Sequence, residues 1–422
     1  MRISTFEPPG DAPLMGGLRR LAGTPAARIA AAIAALAYFA YYLTRFHPAL
    51  IWPPAPHGDA AIFFAESRRV FAQGAYTAGS VYPYPPSAVL MFVGLSAAGA
   101  AAFMLAWQAL MAAGLAVSVR AALAGDRLAR LWPLLGLAGV IAADWAIGWD
   151  LRNANSNLVS LGLVTAGYAL MSRRPMAAGA LVALSVSLKL YAGLILLWML
   201  VTGARRAFAA GAVTFAVLWG ALPLALFGWA GTLRLYAGWR AQIAHVSAPA
   251  TEAGLKAAGS ANPDISLHQS VLNITGWRFD APQVSWVVGA VLAAWLVVLA
   301  IYGVAWLRSR RETAPSRGAL SDWIVLLLAP LPFSPWLEPY HAVPMLTAGV
   351  LLAAVGLDEA VERRARLVAG GALGILLGFE VAPIPFEVRG FALVAQFAVI
   401  VAALAWLRPA TAKPLAVAAS AP

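Results

Sequence analysis

Apolar runs follow one another from residue 29 to residue 407, each long or nearly long enough to cross a bilayer, and that succession leaves room for one class of fold. A helix needs about 20 apolar residues to span hydrocarbon, fewer where it is buried among other helices or stops short. By that measure the candidate spans are 29–44, 87–120, 131–148, 156–171, 176–202, 207–228, 283–307, 320–335, 342–357, 367–384 and 390–407. Charged residues make up 11% of the chain, where soluble domains carry about a quarter. The expectation is an all-α, polytopic membrane protein.

Two of these stretches need dividing. Residues 87–120 are too many for one crossing and too few for two, so a short re-entrant or interfacial helix is expected before a full span ending near Arg120. Residues 176–202 lie between Arg173-Arg174 and Arg205-Arg206, and a single crossing would put one basic pair on the wrong side. A hairpin of two short helices, with Lys189 and Tyr191 near its apex, removes the conflict. The result is about twelve membrane helices with both termini in the cytoplasm: a tail at 1–28, one transmembrane domain at 29–407 with long outer loops at 45–86 and 229–282, and a tail at 408–422.

The net charge of +12 raises nucleic acid as a partner, but the basic residues answer otherwise. Twenty of the 30 fall in the short segments assigned to the cytoplasm, Arg408 among them, which is a topology signal. No nucleic-acid partner is expected; membrane lipids are. Cysteine is absent, which excludes disulfides and thiolate nucleophiles, and five histidines without paired spacing suggest no metal. The alanine-rich composition suggests a GC-rich bacterial genome, and with it a cytoplasmic (inner) membrane location.

Polar residues collect on the proposed outer side. In the first outer loop, Gly58-Asp59 precedes a segment with Phe63, Phe64, Val70 and Phe71 apolar and Glu66, Arg69 and Gln73 polar, the pattern of an amphipathic interfacial helix. Asp59 reads as the N-cap of that helix and, compatibly, as a general base whose pKa the lipid boundary raises. Tyr82-Pro83-Tyr84-Pro85-Pro86 is a rigid extended lead-in to the next helix, an interfacial anchor or a pocket wall. Asp144, Trp145, Asp150, Arg152, Asn153, Asn155 and Asn157 gather at the outer end of the third span, where Asp144 is costly inside an apolar run. From this group Asp144, Asn153 and Asn157 are taken as substrate-binding candidates. Lys189, equally expensive, either snorkels or holds a phosphate as a point charge. His268-Gln269-Ser270 lies within the second long loop, just before an apolar stretch, and Trp336, Glu338, Tyr340 and His341 share a compact outer turn suited to phosphate or sugar.

These residues, in this order, resemble glycosyltransferase family 87, membrane-embedded enzymes of GT-C architecture that include polyprenol-phosphate-mannose-dependent mannosyltransferases. The likeness rests on short motifs: Gly58-Asp59 with Phe63 and Gly74-Ala75-Tyr76, Tyr84-Pro85-Pro86, the Asn-rich turn at 153–157, Lys189, His268-Gln269-Ser270, and Ser334-Pro335-Trp336 through Tyr340-His341. Three departures are visible: no Gly-Gln opens the Asn-rich turn, Phe63 stands where Tyr is common, and His268 where Asn is common. The resemblance implies a GT-C fold with an extracytoplasmic active site and Asp59 as catalytic carboxylate. It implies an inverting transfer of a hexose, mannose foremost, from a polyprenyl-phosphate sugar to a glycolipid or glycan acceptor. Lys189 and His341 would hold the donor phosphate. Tyr82, Tyr84, Asp144, Asn153, Asn157, His268, Gln269, Trp336, Glu338 and Tyr340 would bind substrate, with no cofactor beyond the lipid-linked donor. The competing expectation is a transporter or lipid flippase, which would show internal symmetry and midplane charges.

Overall fold

A computed structural model describes residues 56–76, 83–123, 127–246, 264–276, 278–309, 317–334 and 337–411, with scattered positions between 24 and 40. Among these residues every regular element is helical. The first proposed span and both tails fall mostly outside the described residues.

Pro at N1 starts α2 (Pro86–Ser96), which follows α1 (Gly58–Gln73) and precedes the full-length α3 (Ala100–Ala122). The short helix before a long one is what the length of that apolar block requires. The next block departs from expectation: instead of one crossing at 131–148, α4 (Trp132–Ala142) and α5 (Asp144–Asn153) meet at a bend of 82°. Ala143 carries the break (φ −128°, ψ 23°). The physical reason is α5's content, since Asp144, Asp150, Arg152 and Asn153 cannot continue into hydrocarbon without partners.

From there α6 (Asn157–Leu170), α7 (Pro175–Leu188), α8 (Gly193–Val201) and α9 (Arg205–Ala216) follow in sequence. Gly179 near the start of α7 packs on Ala207 near the start of α9, and Trp219 just beyond α9 bonds Ser187 near the end of α7. The two helices are therefore parallel, and α8 returns between them as the second arm of a hairpin with Lys189 at its apex. A π-helical turn at Val217–Ala221 leads into α10 (Leu222–Val246), kinked at Gly228. Helix thus occupies 229–246, where a loop was expected. After α11 (Leu267–Ile274) come α12 (Ala281–Ser309), α13 (Arg317–Leu328), α14 (Met345–Leu357), α15 (Arg363–Val381) and α16 (Arg389–Thr411).

Twelve crossings are more than length and composition support. Five helices qualify among the described residues, six if the bent pair is one span, with several apolar helices of 10–17 residues beside them. The helices pack in one continuous body, α9–α7–α6–α3 on one side joined through α14 to α4, α15, α16 and α12. Close approach relies on facing glycines, Gly114 with Gly162 and Gly139 with Gly349, where an added Cβ would strike the opposite backbone. Such contacts are how helices associate where lipid offers no hydrophobic drive. Helix α14 is almost wholly buried, whereas the most apolar window of α12, with mean hydropathy 2.5, is mostly uncovered by protein. An uncovered face so apolar belongs against lipid, and the chain is a multi-pass membrane protein.

Candidate active site

The site begins at a glycine. Gly58 has φ +54°, and a Cβ there would lie 2.5 Å from the Asn153 carbonyl oxygen, so only glycine lets the first turn of α1 rest on the end of α5. The N-cap is His57, without a side-chain capping bond, and Asp59 stands in the first turn. The capping explanation of Asp59 is therefore replaced by another. Its carboxylate accepts a hydrogen bond from the Asn155 amide. Burial pushes the Asp59 carboxyl up to about 6, against the opposing pull of the Asn155 amide and the Lys189 charge. Phe63, one turn on, anchors α1 by stacking on Phe92 at 4.5 Å with Tyr84 and Trp107 edge-on.

The turn between α5 and α6 supplies that amide. Ala154 is left-handed (φ 49°), and its carbonyl accepts the Trp107 indole N–H at 2.8 Å. The reversal sends the alternate asparagines to different tasks. Asn153 donates to the Trp149 carbonyl of its own helix at 2.9 Å. Asn157 donates to Asp150 at 2.8 Å and to the Asn155 Oδ1 at 2.9 Å. Asn155 alone of the three lines the cavity.

Lys189 breaks the hairpin there, with its Nζ 5.6 Å from the Tyr84 ring centre and 5.7 Å from that of Tyr340. The charges of Asp150, Asp59 and Glu338 face it. The last wall is the turn before α14. Asp264 is fully buried and accepts from the backbone N–H groups of Ser266 (2.8 Å) and Leu337 (2.9 Å), tying the second loop to this turn. Glu338 and His341 then cap each other reciprocally. The Glu338 backbone N–H donates to His341 Nδ1 at 3.0 Å. An amide N–H can only donate, so in this tautomer the ring carries its proton on Nε2.

Between these segments lies a cavity of about 410 Å³ with mostly apolar walls, a size and character ordinary for ligand sites. Of the residues expected at the site, Asp59, Tyr84, Lys189, Glu338, Tyr340 and His341 line it. Asp144, Asn153, Asn157, His268 and Gln269 do not. Asp144 heads α5 in a separate cluster, where the Trp145 backbone N–H and Gln396 donate to Glu380 and Arg389 covers the Trp145 ring. Gln269 donates to Asn273 within α11. Tyr82 and Trp336 lie outside the described residues. The residues missed from sequence were Asn155 and Tyr191, which line the cavity, and Asp150 and Asp264 behind it. Polar residues repeated at every second position gave a signal for Asn155 but not its direction.

Residues 82–335, more than half of the chain, match the sequence model of glycosyltransferase family 87. The matched range contains Tyr84, Asn155 and Lys189 and stops short of Asp59 on one side and of Tyr340 and His341 on the other. No curated protein and no solved structure matches the chain.

Proposed function

The chain belongs to glycosyltransferase family 87, and from that premise we propose that it transfers a hexose, mannose foremost, from a polyprenyl phosphate to a lipid or glycan acceptor, with inversion. The observation that carries the reading is the meeting of Asp59, Lys189 and His341, far apart in sequence, around one cavity. Asp59 takes the proton of the acceptor hydroxyl. The hydroxyl oxygen attacks the anomeric carbon from the face opposite the lipid phosphate, and the breaking C–O bond leaves its electron pair on the phosphate. The Lys189 ammonium and the His341 Nε2–H meet that charge, a preorganised electrostatic contribution of the kind that usually dominates. Tyr84 and Tyr340, each with the Lys189 ammonium over its ring, line the same cavity and would contact the sugar.

A carboxyl raised to about 6 suits a general base, which works best with a pKa near the operating pH. An extracytoplasmic site is supported by the run of the helices. Helix α6 leads from the cavity to Arg173 and Arg174, α8 leads from it to Arg205 and Arg206, and α14 leads from it towards Arg363 and Arg364. Basic residues thus gather at the end opposite the cavity, and such ends face the cytoplasm. The test is transfer of radiolabelled mannose from polyprenyl-phosphate mannose to membrane acceptors by wild type and Asp59→Asn at matched expression. Loss in the variant alone supports the assignment; equal transfer by both removes Asp59 as the base.

A further inference from the structure

Behind Asp59 lies a row of buried polar groups for which the transfer chemistry above has no use. Asp150, Asn155 and Asn157 are 0%, 2% and 1% exposed, and burying three such side chains is costly unless each is fully paired. Each bond in the row also fixes the direction of the next. The two Asp150 carboxylate oxygens accept from the Leu158 backbone N–H at 3.0 Å and from the Asn157 amide at 2.8 Å. That orients Asn157 with its NH2 towards Asp150, and the same nitrogen also donates to Asn155 Oδ1 at 2.9 Å. The Asn157 oxygen is turned the other way, to accept from the Tyr191 hydroxyl at 3.4 Å. Asn155 Oδ1 in turn accepts from the Ser156 backbone N–H at 2.6 Å. Two obligate donors on its oxygen leave the Asn155 amide one orientation, with its NH2 on Asp59 Oδ2.

We infer that Asp150, Asn157 and Asn155 form a positioning relay that locks one oxygen of the Asp59 carboxylate and leaves the other to take the acceptor's proton. The inference rests on the reading of Asp59 as the base and adds three residues to it, none of which need touch a reacting atom. The relay uses a neutral amide for the final contact. A guanidinium there would hold the carboxylate as firmly but would make it too weak a base, whereas an amide fixes geometry at a smaller cost in basicity. The other groups facing Asp59 are the Lys189 ammonium, the Asp150 carboxyl and the Tyr84 and Tyr340 hydroxyls, with Glu338 facing Lys189 from the opposite wall; of these only the Tyr84 hydroxyl touches Asn155, at 3.5 Å, and it keeps its bond to Ser156 at 3.1 Å.

The test is an infrared pH titration of the purified protein in lipid nanodiscs, with the Asp59 carboxylate band identified as the one that Asp59→Asn removes. In Asn155→Ala the midpoint of that band moves up by about one pH unit, the tenfold that one charge-assisted hydrogen bond is worth. Transfer falls roughly tenfold to a hundredfold in kcat, with its acid limb displaced in the same direction and KM little changed. Asn157→Ala, one step removed, gives a smaller displacement of the same sign, and serves in place of Asn155→Ala if that variant does not fold. An unmoved Asp59 midpoint in both variants overturns the relay, as does a loss of kcat with an unmoved acid limb, which is what a merely structural role would give. Transfer retained by Asp59→Asn overturns the base assignment beneath it, whatever the asparagine variants do.

Discussion

Two of the protein's carboxylates, Asp322 and Asp59, sit in opposite settings. At the end away from the cavity, Asp322 accepts from Tyr302 at 2.6 Å, from the Trp198 and Trp306 indoles at 3.0 and 3.2 Å, and from two nitrogens of Arg408. Arg408 is held in turn by Ser309 and Tyr302. At the cavity, Asp59 has the single Asn155 amide, and Lys189 faces it without forming a contact ion pair among the described residues. A carboxylate with its lone pairs taken and its charge neutralised by arginine is a structural tie. One with an oxygen left over and a cation held nearby is equipped to react.

The largest expected effect that sharpens this contrast is at Asp59. Asp59→Asn keeps shape and packing, so it is expected to lower transfer by about 10²–10⁴ with the thermal unfolding of the purified protein unmoved. A variant that unfolded early instead would erase the distinction between the two carboxylates. Asp322→Ala should do the reverse. It leaves Arg408 charged and uncompensated in a buried site, a loss of about 3–5 kcal/mol in stability, read as a fall in folded yield and unfolding temperature. The folded remainder should keep the wild-type pH profile.

Next comes Lys189→Met, which retains the length of the side chain and removes its charge. It is expected to reduce kcat on the order of 10²–10³ if the ammonium meets the departing phosphate. A rise in KM alone would show instead that it only binds the donor. The smallest effect is the pH dependence of the wild type. The base must be ionised to accept a proton and its carboxyl is raised to about 6, so kcat/KM should be flat above that pH and fall about tenfold per unit below it. An acid limb near 4, the range of an exposed carboxyl, would remove the buried setting from the argument.

Much of this site was legible in the residues. Charge and turn chemistry in a chain otherwise made of hydrocarbon mark their own positions, so Asp59, Lys189, Glu338, Tyr340 and His341 stood out one by one. The lysine hairpin followed from a conflict between flanking arginines. Arg408 shows what that logic leaves out: counted only as a topology signal, it is buried against Asp322, because a count of charges does not say which of them has a partner. The Asn-rich turn failed for a related reason. Asn153, Asn155 and Asn157 have equal standing as letters, and a single left-handed residue, Ala154, decides which of them meets Asp59.

What the amino-acid sequence alone determined was the class of fold, the membrane as solvent and the short set of groups able to do chemistry, since all three depend on how expensive each residue is in hydrocarbon. Which of those groups meet was decided only by the tertiary structure. The 82° bend after α4, the passage of Gly58 over Asn153 and the staple from Asp264 to Leu337 bring five separate segments around one cavity. Those contacts are set by packing between distant elements, and no local pattern of residues encodes them.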